Sequence, residues 1–306
     1  MITRTSGTIL IAFALGSLAL PAAETRDKAS FAVQVTGHGP PMILIPGLSS
    51  SGAVWDDTVV HFKDHYECHV LTLAGFAGQP GIKAPFLETV RNDLAAYIRD
   101  HKMSRPVIIG HSLGGFLALW LASHDPSLAG PLVIVDALPF YPAEMYPTAT
   151  VETARPYGEQ IRAQMAAGGS AFLQGSEAAA TMMVTQPKDR ERVLAWAKST
   201  DPASAGNAVL DIYTHDLRED ISRIVAPTLE LGTWVATKDF VSRDEMEARI
   251  RRQYAKLSGC RVVMAETRHF IMLDDPGWFL RQVDGFISEA AMPGKSNAVA
   301  PPKGER

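Results

Sequence analysis

Two cysteines in 306 residues, Cys68 and Cys260, allow one disulfide at most and exclude a small fold stapled by several bridges. Charge is nearly balanced, with 29 Lys and Arg against 33 Asp and Glu and no long basic run. That argues against nucleic acid or an anionic membrane as the main partner, since either needs a concentrated positive surface. No internal repeat or low-complexity tract interrupts the folded part. The apolar run near the amino terminus, Ile9 to Leu20, is shorter than the ~20 residues a spanning helix requires.

That run has a different explanation. Arg4 precedes it, and "PAAE" follows, with the small residues Ala22 and Ala23 before Glu24. A basic start, a short apolar centre and a small-residue cleavage site make residues 1–23 an expected secretory signal peptide. The expected location is then the periplasm or the medium, with no stable membrane anchor. At the other end, residues 291–306 are polar and rich in Pro and Gly, and are expected to be disordered.

Between these ends, short apolar runs alternate with amphipathic stretches. "FAVQVTG" (Phe31–Gly37) alternates like a half-exposed strand, while "MILIP", "HVLTL", "PVIIG", "LVIVD", "TLELG" and "RVVMA" suit strands buried on both faces. Helical patterns such as "LETVRNDLAAYIRDHK" lie between them. The expected fold is α/β, a mostly parallel twisted sheet flanked by helices. The rhythm breaks between Asp136 and Thr228, where helical patterns run without a convincing strand. Residues 24–136 and 228–290 are therefore read as two parts of one core, and 137–227 as a helical cap inserted between them.

The stretch "VIIGHSLGGF" places Ser112 between small residues directly after a buried strand. A serine hydroxyl attacks well when a base takes its proton and a sharp turn presents it. Gly110-His111-Ser112-Leu113-Gly114 fits such a turn, with "PVIIG" as the strand before it and "GFLALWLAS" as the helix after it. On these residues the chain resembles the α/β-hydrolase superfamily, from about Phe31 to Ile287. The resemblance implies that Ser112 is the nucleophile. It also implies that "LIPGLSSSGAVW" (Leu44–Trp55) forms an oxyanion loop, with the backbone N–H groups of Leu48 and Leu113 as donors.

By the same resemblance, His269 in "TRHFIMLDDP" is the base, while His111 packs rather than reacts. For the acid that orients His269, the stretch "GTWVATKDF" after the strand "TLELG" points to Asp239, with Asp136 at the end of "LVIVD" as the alternative. His61, His65, Cys68 and His69 have a spacing that suggests metal. They divide between a helix and a strand without a second ligand pair, and read instead as a solvated connection. No metal and no cofactor is expected. The two cysteines should lie about five strands apart, roughly 24 Å, beyond disulfide reach.

A serine nucleophile implies acyl transfer to water. Trp55, Phe76, Phe140, Tyr141 and Phe270 are the expected apolar lining of the substrate pocket, joined by cap methionines. The expected activity is a serine carboxylesterase acting on a small-molecule ester. A thioesterase or lactonase would use the same residues, and a low-turnover ligand-binding protein on the same scaffold is the reading from another class.

Overall fold

The computed structural model describes residues 29–291. The expected signal segment and the tail from residue 292 onward lie outside them. Seven strands form one sheet: β1 (Phe31–Gly37), β2 (Pro41–Ile45), β3 (Glu67–Leu73), β4 (Val107–His111), β5 (Leu132–Val135), β6 (Thr228–Gly232) and β7 (Cys260–Met264). Their spatial order is β1-β3-β2-β4-β5-β6-β7. β1 runs antiparallel to β3 at one edge, and every other pairing is parallel.

The apolar runs are continuous because the central strands bury both faces. Successive side chains of β2 alternate between the two layers, Ile43 and Ile45 entering one and Met42 and Leu44 the other. On the first face pack α2 (Phe86–Asp100), α3 (Leu113–His124) and α8 (Arg243–Gln253). On the second pack α1 (Asp56–Phe62) and α10 (Pro276–Ala290). α2 shows why such a sequence becomes a surface helix: Phe86, Leu87, Val90, Arg91, Leu94 and Ile98 are buried at three- and four-residue spacing. α3 is apolar all round because it is buried along nearly its whole length.

β1 is the half-exposed strand its alternation suggests, and lies at the sheet edge where only one face needs covering. Cys68 on β3 and Cys260 on β7 are separated by the four strands between them, and both are free. Burial pushes the Cys68 thiol up to about 11, so it stays protonated and unreactive at neutral pH.

The insertion between β5 and β6 holds four helices: α4 (Val151–Ala166), α5 (Gly169–Met183), α6 (Pro187–Lys198) and α7 (Pro202–Thr214). Local signals delimit them. Thr150 and Thr153 form a reciprocal cap on α4, Pro187 opens α6, and Asp201 caps α7 through the N–H of Ser204. The cap is tied to the core by polar contacts. Arg192 of α6 reaches Asp56 at 2.6 Å and also the carbonyl of Ala53. Thr185 donates twice to Asp274 of α9 (Ile271–Asp274), at 2.9 and 2.6 Å. No helix of the described residues is long and apolar enough to cross a membrane.

Because β2 and β4–β7 run parallel, their carboxyl ends open at one edge of the sheet, beneath the cap. The chain leaves those ends through Gly47-Leu48, Ser112, Asp136, Thr233 and the loop carrying His269. A crevice at this position is where open α/β sheets bind ligands.

Candidate active site

Ser112 sits between β4 and α3 with φ 51° and ψ −117°, a left-handed conformation that non-glycine residues rarely adopt. The turn is feasible because the glycines packed against it, Gly114 and Gly47, lack side chains. A Cβ on Gly114 would lie 2.4 Å from the carbonyl oxygen of Ile45, so helix and strand could not approach as they do. A Cβ on Gly47 would stand 2.8 Å from Nδ1 of His111 and 3.3 Å from Cβ of Ser112. The loop carrying Leu48 therefore packs directly against the serine turn. Leu113 opens α3, where the first N–H groups have no intrahelical acceptor, and the positive end of the helix dipole faces the same space.

His269 follows β7. Its Nδ1 lies 2.5 Å from Oδ2 of Asp136, which immediately follows β5. The carboxylate is itself fixed by Thr233, whose N–H donates to Oδ1 at 3.0 Å and whose hydroxyl donates to Oδ2 at 2.7 Å. Three donors on one carboxylate hold it in a single orientation. With the Nδ1 proton committed to Asp136, Nε2 is left as the basic nitrogen of His269.

His111 supports that arrangement from below. It is buried, with its ring tilted against those of His269 and Phe270 at centroid distances of 4.6 and 4.5 Å. Burial, and then the neighbouring His269, hold its imidazole well below its ordinary value, so it is neutral. Nε2–H donates to the backbone carbonyl of His269 at 3.1 Å. His111 thus pins the loop that carries His269.

Ser112, His269 and Asp136 all open on one cavity of about 880 Å³ under the cap. Leu48 and Leu113 line it too, as do Tyr141 and Phe270. Cap residues Met165, Phe172, Met182 and Met183 form much of the apolar wall.

Four expectations differ from this geometry. Asp239 is exposed, past the short turn Val235–Thr237, and His269 bonds to Asp136 instead. The reason is local: Thr233 folds back onto Asp136, and the turn that follows carries the chain outward before Asp239 is reached. Trp55 does not line the cavity; it is fully buried in the second core layer, with its ring 6.0 Å from Phe279. Phe76 is likewise core, 5.5 Å from Phe86. Phe140 is buried beneath the cap with the Arg218 guanidinium 4.8 Å above its ring. Full burial of rings of this size stabilises the fold by roughly 3 kcal/mol each, which accounts for them without a ligand.

The histidines near β3 are also tied into the fold. His61 pairs with Asp284 at 2.9 Å. His69 is buried, contrary to a solvated connection, between Glu67 and the hydroxyl of Tyr97, each at 2.9 Å.

Sequence reasoning passed over Thr233, Glu144 and Tyr254, the last of which meets Glu230. Glu230 is fully buried on β6, and the hydroxyl of Tyr254 stands 3.1 Å from its Oε2 and 2.9 Å from the carbonyl of Ala137. One hydroxyl hydrogen cannot serve both acceptors. A protonated Glu230 resolves this by donating to Tyr254, which donates to Ala137. Burial, and secondarily the charge of Asp136, push the Glu230 carboxyl well above its ordinary value, in agreement. A charge inside an otherwise apolar strand is what marks Glu230 in the sequence.

A carboxyl whose folded value is raised contributes stability that is fully present below its unfolded value, declines above it, and is lost once pH passes the folded value. The urea midpoint of the wild type should fall as pH rises above the ordinary carboxyl range. Glu230→Gln, which keeps the shape and cannot ionise, should flatten that decline; an unchanged pH dependence would contradict a protonated Glu230.

With the geometry in place, the chain can be compared with known proteins. The profile of a family described as the alpha/beta hydrolase family matches residues 42–282. A pimeloyl-[acyl-carrier protein] methyl ester esterase of Vibrio vulnificus (strain YJ016) is 32% identical over 111 residues, which is 36% of this chain and 42% of that protein. This match thus spans less than half the length of that relative. An enzyme of the same name from Nitrosospira multiformis is 24% identical over 272 residues, covering 85% of this chain and 98% of that protein. Among solved structures, a thermophilic esterase from Thermogutta terrifontis superimposes with a TM-score of 0.72 at 16% identity, over 86% of this chain and 94% of that one. At that identity the likeness is one of fold.

Proposed function

The chain belongs to the alpha/beta hydrolase family, and from that premise we propose that it is a serine hydrolase that cleaves a carboxylic ester through an acyl-enzyme. Membership of the family, and the likeness to methyl ester esterases, support hydrolase or esterase chemistry in general. The observation that carries the finer reading is the 2.5 Å contact between His269 Nδ1 and Asp136, on the cavity that Ser112 enters.

In this reading Ser112 Oγ attacks the ester carbonyl while His269 Nε2 takes its proton. The carbonyl oxygen becomes an oxyanion held by the N–H groups of Leu48 and Leu113, each worth roughly 3 kcal/mol in the transition state. The tetrahedral species collapses, the C–O bond to the alcohol breaks, and His269 returns the proton to the departing oxygen. Water, deprotonated by His269, then attacks the acyl-serine and releases the carboxylic acid with Ser112 restored. Asp136 holds the imidazole in the required tautomer and stabilises its cation, and Thr233 and His111 position Asp136 and His269.

The ester reading draws support from the names of the curated relatives, which are methyl ester esterases. The apolar cap wall suits an acyl chain or an apolar alcohol. A panel of aryl and alkyl esters, thioesters and lactones of graded chain length tests it. Turnover of esters is expected, ahead of thioesters and lactones; turnover confined to thioesters or lactones would move the reading to that class, and none at all would favour a binding protein. We also propose export, on the strength of the composition of residues 1–23.

A further inference from the structure

Among the residues that line the cavity, the ionisable side chains besides histidine and tyrosine are Asp136 and Glu144, and none is Lys or Arg. Asp136 is fully engaged by His269 and Thr233. Glu144 is not: its carboxylate makes no hydrogen bond or ion pair among the described residues. The nearest cation, Arg249, meets only its backbone carbonyl, at 3.5 Å, and directs Nε to Glu245 at 3.0 Å.

Glu144 ends the short helical turn Tyr141–Ala143, with its N–H on the carbonyl of Tyr141 at 3.1 Å. Three-residue spacing in such a turn puts the side chains of Tyr141 and Glu144 on one side. Tyr213, on α7, faces Tyr141 with ring centroids 5.7 Å apart and planes inclined at 56°. Both rings line the same cavity, and neither hydroxyl is hydrogen-bonded among the described residues.

We propose that Glu144, Tyr141 and Tyr213 form a cation subsite that takes an ammonium group of the substrate, so that the preferred esters carry a quaternary or protonated amine. This deepens the hydrolase reading and rests on it for the word substrate, though not for the binding of a cation. A carboxylate in an apolar cavity without a partner is costly to the protein alone, and a cation relieves that cost. Aromatic faces carry negative potential and attract an ammonium group; Tyr213 and Glu144 are half-buried, and Tyr141, 48% exposed, stands at the cavity mouth. Anions meet two carboxylates and no Lys or Arg in the cavity lining; Arg249, turned to Glu245, offsets the Glu144 charge only in part. Burial, and then the nearby Asp136, raise the Glu144 carboxyl above its ordinary value, the condition an arriving cation reverses.

Two measurements on the full chain test this. The first is calorimetric titration with tetraethylammonium chloride against a sodium chloride control of equal ionic strength. Binding to the wild type is expected, weakened about tenfold by Glu144→Gln and also by Tyr213→Leu. Absence of binding, or binding unaffected in both variants, would overturn the subsite. The second compares acetylcholine with its uncharged isostere 3,3-dimethylbutyl acetate. The wild type should favour the cationic ester about tenfold in kcat/KM, and Glu144→Gln should bring the ratio towards one. A wild-type ratio near one would overturn the proposal. If neither ester is cleaved and other esters are not cleaved either, the hydrolase reading fails, while the titration still decides the subsite.

Discussion

Asp136→Asn should lower ester turnover by about four orders of magnitude, and Asp239→Asn should leave it close to wild type. The difference follows from one proton. Asp136 accepts from Nδ1 of His269, so Nε2 is free to act as a base. An asparagine can offer its N–H₂ at that position, which turns Nδ1 into an acceptor and moves the ring proton to Nε2. A protonated Nε2 cannot take the hydrogen of Ser112. The amide oxygen can still accept from the N–H of Thr233, and the Thr233 hydroxyl can turn to accept from the amide N–H₂, so the fold around the site should survive. Asp239 stands exposed on a surface turn and is not bonded to His269. The check is kcat/KM for one good ester with each variant, alongside thermal midpoints. A crippled Asp239→Asn with an active Asp136→Asn would mean that the loop after β6 rearranges to bring Asp239 to the histidine.

The largest loss is expected at Ser112, the proposed nucleophile. Ser112→Ala should reduce kcat by about six orders of magnitude, leaving the residual rate that the oxyanion donors and binding supply. Stability should hardly change. The hydroxyl makes no hydrogen bond among the described residues, and alanine keeps the Cβ that already occupies the left-handed turn. The turn is held by the backbone, through the N–H of Ser112 on Val135 at 2.8 Å and the N–H of Phe116 on the carbonyl of Ser112 at 3.0 Å. Matched thermal midpoints with lost turnover would be the expected pair of results. Turnover retained at a tenth of wild type or more would point to a different nucleophile.

Much of this molecule can be read from its sequence because the relevant signals are local. Runs such as "MILIP" and "LVIVD" announce strands buried on both faces, and the ninety-residue interval without a strand announces the cap. The small residues around Ser112 advertise a turn whose geometry depends on neighbours at fixed spacing. The acid is harder, because its partner comes from a different strand. Asp136 and Asp239 are both acidic residues following a strand, and only the fold of Thr233 back onto Asp136 distinguishes them. Aromatic residues mislead for a related reason. Trp55 and Phe76 lie in segments that leave β2 and β3, but their rings enter the core layers on either side of the sheet. Glu144 shows the opposite limit: nothing in "YPAEMY" marks that carboxylate until the cap brings Tyr213 and the cavity to it.

The central claim is that Ser112 is a nucleophile activated by His269 and Asp136. Reaction with a fluorophosphonate, followed by intact mass and peptide mapping, tests it without knowledge of the substrate. The expected result is one covalent adduct, located on the peptide containing Ser112, formed rapidly in the wild type and far more slowly in Asp136→Asn. An unlabelled protein, an adduct on another residue, or equal rates in the two proteins would contradict it.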